Sequence, residues 1–74
     1  VMRGILLEDK GIPRHDCEVY YDGRLVSKLT SGSLSPSLGK GIALAYLIQE
    51  PGSVVSVLVR NKHLKGKVVK PPFL

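Results

Sequence analysis

Cysteine is nearly missing from this chain. Cys17 stands alone, so no intrachain disulfide braces the fold, and no His or Cys partners sit around it at metal-ligand spacing. Tryptophan is absent and phenylalanine occurs once, and the three tyrosines are not interleaved with basic residues as single-strand nucleic-acid binders require. No apolar run approaches the roughly 20 residues of a membrane helix, and no secretory signal leads the chain. The expectation is a soluble protein of a reducing compartment, cytoplasmic or, in a eukaryote, in the mitochondrial matrix, with Cys17 a small packing residue rather than a reactive thiol. Acid is scarce too: Glu8, Asp9, Asp16, Glu18 and Asp22 all precede residue 23, and Glu50 is the only other carboxylate.

What is present is base, glycine and short apolar alternation. Eleven Lys and Arg against six Asp and Glu leave a formal charge of +5, and Arg60, Lys62, Lys65, Lys67 and Lys70 follow Glu50 without a single acid. One part of the surface is therefore basic, which suits nucleic acid, an acidic protein or merely a solvated sheet face. The last is favoured, because outward Lys and Arg ordinarily protect strands from pairing with other chains. With 74 residues the chain is one domain that buries only about 60% of its unfolded surface, too little for a deep pocket of its own.

The pattern along the chain is that of strands. Arg3 to Leu7 is the first, ended by a turn from Glu8 to Pro13. Cys17 to Tyr21 alternates, with Cys17, Val19 and Tyr21 on one face. Asp22-Gly23 is a tight hairpin signal, and Arg24 to Thr30 returns with Leu25 and Leu29 on one side and Arg24 and Lys28 on the other. A loop punctuated by Gly32, Pro36, Gly39 and Gly41 follows, in which Ser31, Ser33, Ser35 and Ser37 are expected to bond backbone amides in place of a sheet partner. Ile42 to Ile48 is apolar on both faces, as a doubly buried strand is, though pattern alone also allows a short helix.

After Gln49-Glu-Pro-Gly52, Ser53 to Arg60 places Val55, Val57 and Val59 together. Asn61-Lys62 turns into His63 to Lys70, where Leu64, Gly66 and Val68 face in while His63, Lys65 and Lys67 face out. Pro71-Pro72 ends this last strand. These strands, at 8–12-residue spacing, predict an all-β fold, a small antiparallel six-stranded Greek-key-like barrel, since closure removes two adhesive edges. The expected core is Ile5, Leu7, Val19, Leu29, Ile42, Leu44, Tyr46, Val55, Val57, Val59, Leu64 and Val68, with Ala43 and Ala45 marking the close approach of another strand or domain.

Chemistry is thin. Gly39-Lys40-Gly41 fails as a phosphate loop, because Gly32 lies too far upstream and no Ser or Thr follows the lysine. His15, Asp16 and Cys17 are consecutive, and on a strand consecutive side chains point to opposite faces, so they make no nucleophile, base and orienter. Glu8-Asp9 reads as a solvated turn pair and His63 has no companion ligand. No catalytic residue, no metal site and no cofactor-binding residue can be assigned.

Four blocks nevertheless carry a resemblance. Gly4-Ile-Leu-Leu-Glu-Asp-Lys-Gly-Ile-Pro-Arg14 is similar to the opening strand and Gly-x-x-Arg turn of the C-terminal domain of the glycine-cleavage T-protein. Leu29-Thr-Ser-Gly32 with Ser35-Pro36 resembles its central signature, Gly41 to Tyr46 its Ile-Ala-Met/Leu-Ala strand, and Val68-Val-Lys-Pro-Pro-Phe73 its closing segment. The blocks lie in the family's order and cover almost the whole chain. One departure is Ser27, where the family usually has glycine.

The resemblance implies an aminomethyltransferase that releases ammonia from the aminomethyl-lipoyl H-protein and passes the methylene group to tetrahydrofolate. It further implies that folate sits in the central cavity of a three-domain cloverleaf, gripped mostly by upstream folate-binding domains. This domain would complete that site without catalysis, and would bind no cofactor alone. The partners implied are the lipoylated H-protein and those upstream domains. Because the chain opens directly on a strand, an excised domain, a fragment or one part of a split enzyme is expected.

Two basic residues, Lys10 and Arg14, match basic family positions on one exposed corner and are candidates for steering the acidic H-protein. Beside this stands the plainer reading in which Lys10 is solvated and Arg14 pairs with Asp16 or a neighbouring domain. Two other functions remain open: a free-standing basic barrel binding RNA or an acidic protein through the Lys62 to Lys70 face, and the equivalent domain of a dimethylglycine- or sarcosine-oxidising enzyme or a folate-dependent tRNA-modification factor. On the T-protein reading no nucleic acid is expected.

Overall fold

A computed structural model of the chain describes residues 2–70. Six strands, β1 (Met2–Leu7), β2 (Glu18–Tyr21), β3 (Arg24–Ser35), β4 (Lys40–Tyr46), β5 (Val54–Val59) and β6 (Lys62–Val69), close into one antiparallel barrel in the order β1-β4-β3-β2-β5-β6. The hairpin-linked β2, β3 and β4 are flanked by β5 and β1 on their far sides, which is the expected Greek-key arrangement, and β6 pairs with β1 to complete the ring. Ile5, Leu7, Val19, Leu29, Val55, Val57, Leu64 and Val68 point inward and are buried as expected, with Cys17 and Val59 packed against them.

The fourth strand has the opposite phase to the expected one. Gly41, Ala43, Ala45 and, just beyond the strand, Leu47 line the interior, while Ile42 and Leu44 are half-buried on the outside and Tyr46 and Ile48 are 62% and 86% exposed. A run apolar on both faces carries no phase of its own, so the choice falls to available space. A six-stranded interior already filled by Ile5, Leu7, Leu29, Val57 and Val68 leaves room beside β4 only for alanine and glycine. The alanines thus mark the packed inside, and the large residues form an outer apolar stripe.

The serine-rich stretch also departs from expectation. Ser31 and Ser33 are ladder residues, opposite Leu44 and Ile42, and the loop shrinks to a turn at residues 36–39. There only Ser35 behaves as foreseen, its Oγ accepting from Leu38 N at 3.3 Å while its carbonyl accepts from Gly39 N at 2.8 Å.

Two bulges bend this long strand between its neighbours. Val26 is extra where Val19 faces Ser27 and Tyr20 faces Leu25, and Thr30 is extra where Leu29 faces Ala45 and Ser31 faces Leu44. Thr30 Oγ1 donates to the Leu44 carbonyl at 3.2 Å, which secures the second bulge. The first reverses the strand's parity, so Leu25 is 52% exposed although Leu29 is 1% exposed. Leu25 and Leu29 therefore do not share a face, contrary to expectation, and Ser27 sits beside the bend.

Asp22 and Gly23 form the foreseen hairpin, both at positive φ (54° and 77°). The last hairpin turns one residue earlier than expected, at Arg60-Asn61 (φ 50° and 64°), because Val59 pairs with Lys62. Pro71-Pro72 lies outside the described residues.

Candidate functional site: a cationic cleft beside the first loop

Residues 8–14 leave β1 and cross one mouth of the barrel, and Pro13 is the fully buried plug. The segment is tied down at its start: Glu8 N donates to the Lys65 carbonyl at 2.8 Å, and Asp9 Oδ2 accepts from Lys65 N at 2.9 Å. It seats only because β3 and β4 carry glycine beneath it. A Cβ on Gly41 would lie 2.6 Å from Pro13 Cδ, and one on Gly32 would meet the Pro13 carbonyl group.

The segment is a ridge between two clefts, and Lys10, Gly11 and Ile12 line both. On one side, a cleft of about 410 Å³ also touches Glu8, Asp9 and Lys40. On the other, a cleft of about 330 Å³ is lined by Lys10, Arg14, Arg60 and Lys62 together with the apolar Val59 and Leu64 and the exposed Ile12 of the ridge. The two residues singled out from sequence therefore share one wall, and the β5–β6 hairpin supplies two further cations that sequence reasoning placed in a solvated face. Strand topology, not spacing, brings residue 60 to residue 10. The signal that could have found it is the Arg60-Asn61 turn itself, since a non-glycine pair there is costly.

All the carboxylates but Asp22 are engaged elsewhere, Asp9 as described above. Glu8 pairs with Lys65 (3.7 Å), Asp16 with His15 (3.4 Å) and Glu50 with Arg3 (3.6 Å), and Glu18 accepts the Tyr20 hydroxyl at 2.8 Å. Among the described residues none of the four rim cations makes an ion pair, so Arg14 is not held by Asp16. The His15–Asp16 pair is itself a correction: these residues sit in a turn, with Asp16 at φ 71°, and so meet rather than diverge. The pair is exposed while Cys17 packs against the core, and no nucleophile joins it.

Across β2, β5 and β6 lies a second surface grouping. His63 Nδ1 is 3.3 Å from Ser56 Oγ, and the His63 ring stands edge-on to Tyr20 with centroids 5.0 Å apart. The hydrogen bond to Glu18, with lesser help from desolvation and the carboxylate's charge, raises the Tyr20 pKa above its usual 10.0. This favours the neutral phenol. Among the described residues no group of three or more His, Cys, Asp or Glu is placed to hold a metal ion.

Residues 1–74 match the family model of the glycine cleavage T-protein C-terminal barrel domain. The chain belongs to this family. It is 48% identical over 73 residues to an aminomethyltransferase of Bacillus subtilis, an alignment covering 95% of this chain and 20% of the relative. It is 47% identical over 68 residues to a probable aminomethyltransferase of Thermococcus kodakarensis (88% and 17%), and 42% identical over 71 residues to an aminomethyltransferase of Porphyromonas gingivalis (90% and 20%). The chain thus spans about one fifth of the length of these relatives. For a T-protein barrel, the closed fold, the plugged mouth and the cationic rim are the features available for work with the rest of such a protein.

Proposed function

We propose that this barrel is the terminal module of an aminomethyltransferase acting on an aminomethyl-lipoyl carrier, the H-protein, with tetrahydrofolate as methylene acceptor. The observation that carries the reading is the family match over residues 1–74, set beside relatives five times longer. The barrel's own residues bind and position; the described ones form no acid, base and nucleophile set. Among the described residues none lining the two clefts at the ridge is aromatic, which suits a wall of the folate site rather than a stacking surface for a pterin.

Two surfaces support that division. The outer stripe of Ile42, Leu44, Tyr46 and Ile48 is an apolar face of the kind covered by a neighbouring domain, here the upstream part of the enzyme. The Lys10 and Arg14 corner is free to receive an acidic carrier. The test is an assay of the full-length enzyme with aminomethylated H-protein. Ammonia release should require the carrier, rise with tetrahydrofolate, and show a KM for the carrier that climbs with salt. Turnover indifferent to tetrahydrofolate, or tight RNA binding with a steep salt dependence in its place, would refute the reading.

A further inference from the structure

Resting on the reading of Lys10 and Arg14 as a docking corner, we infer that Arg60 and Lys62 complete it, making one four-cation cleft that receives an acidic segment of the carrier protein with an apolar side chain at its centre. Three observations converge. The four cations line a single cleft of about 330 Å³, and among the described residues no carboxylate lines it. None of the four is in an ion pair among the described residues, although the carboxylates of the same loop are paired or hydrogen-bonded. And Arg60 occupies the first position of a two-residue turn at φ 50°, where asparagine, aspartate or glycine is the comfortable choice.

An arginine in the left-handed region at an exposed tip contributes nothing to the core, and its side chain lines this cleft as well as the adjoining one that holds Asp16 and Glu18. The floor argues for a protein segment over a free anion. Val59 and Leu64 give the cleft an apolar lining between charges, and the exposed Ile12 stands on its wall, which fits an anchor side chain flanked by carboxylates. The four charges act at the rim, where they speed and orient encounter more than they hold the complex.

The experiment compares Lys10→Glu, Arg60→Glu, Lys62→Glu and Arg60→Asn in the full-length enzyme, reading KM for the H-protein, KM for tetrahydrofolate, kcat, salt dependence and Tm. Arg60→Glu and Lys62→Glu should each raise the carrier KM roughly fivefold or more, by more than they lower kcat, and flatten its salt dependence, with the folate KM unmoved. Arg60→Asn suits the turn better, so Tm should stay level or rise while the carrier KM still increases, which a merely structural arginine would not produce. If Lys10→Glu raises the carrier KM and the Arg60 and Lys62 variants do not, the inference is overturned and the docking corner stands. If all of them leave it unchanged, the corner falls as well. A rise in the folate KM alone would make the cleft a folate contact and overturn the inference.

Discussion

Gly32 and Pro13 are in backbone contact: the strand passes so near the loop that a Cβ on Gly32 would lie 2.6 Å from the Pro13 carbonyl carbon and 2.9 Å from Arg14 N. Both obstacles are main chain, so neither can rotate aside. Gly32→Ala should therefore cost about 1–3 kcal/mol, read from the urea midpoint, and should displace the ridge that carries Lys10 and Arg14. An unchanged midpoint would show that the loop does not seat on β3.

The inverted phase of β4 separates two kinds of substitution. Ala45 is completely buried, so Ala45→Leu should overfill the barrel and cost about 1–3 kcal/mol. Tyr46→Ser, one residue along, should shift the stability of the barrel itself by no more than about 0.5 kcal/mol. Denaturant curves on both variants check the order; a reversal would return Tyr46 to the core.

Of the loop's two hydrogen bonds to the Lys65 main chain, one comes from a side chain. Asp9→Ala removes the acceptor of Lys65 N, at an expected cost of about 0.5–1.5 kcal/mol, and should raise amide exchange at Lys65 more than at Leu64. Uniform protection at both amides would mean the bond is not made in solution.

Tyr20 ties stability to alkaline pH. Its pKa is raised in the fold, chiefly by the hydrogen bond to Glu18, so its stabilising contribution is intact below the unfolded value near 10.0 and disappears as pH climbs through the higher folded value. Glu18→Ala, which removes both the acceptor and the charge, should bring the Tyr20 titration back toward 10.0, followed by ultraviolet absorbance in a background where Tyr21 and Tyr46 are phenylalanine. A midpoint that does not move would remove Glu18 as the cause.

Much of this architecture was legible in the residues because it rests on local rules. Asp22-Gly23 names its own turn, and Leu64, Gly66 and Val68 against His63, Lys65 and Lys67 state the phase of β6 without ambiguity. The misreadings share one cause, the absence of a local signal. Residues 42–48 are apolar on both faces, so their phase was decided by the volume left inside the ring. The bulges at Val26 and Thr30 flip parity with no glycine or proline to announce them. The candidate site was half legible for a similar reason: Lys10 and Arg14 lie close in sequence, whereas Arg60 and Lys62 reach them only through the closed strand order.

On the reading proposed above, this chain works as the terminal barrel of an aminomethyltransferase. That reading is tested most directly by replacing the matching fifth of the Bacillus subtilis enzyme with these 74 residues and measuring ammonia release from aminomethylated H-protein. The chimera should fold, and its turnover should depend on tetrahydrofolate and lie within about tenfold of the parent, because the exchanged part positions and docks rather than reacts. A chimera that folds, binds tetrahydrofolate and yet releases no ammonia would contradict it.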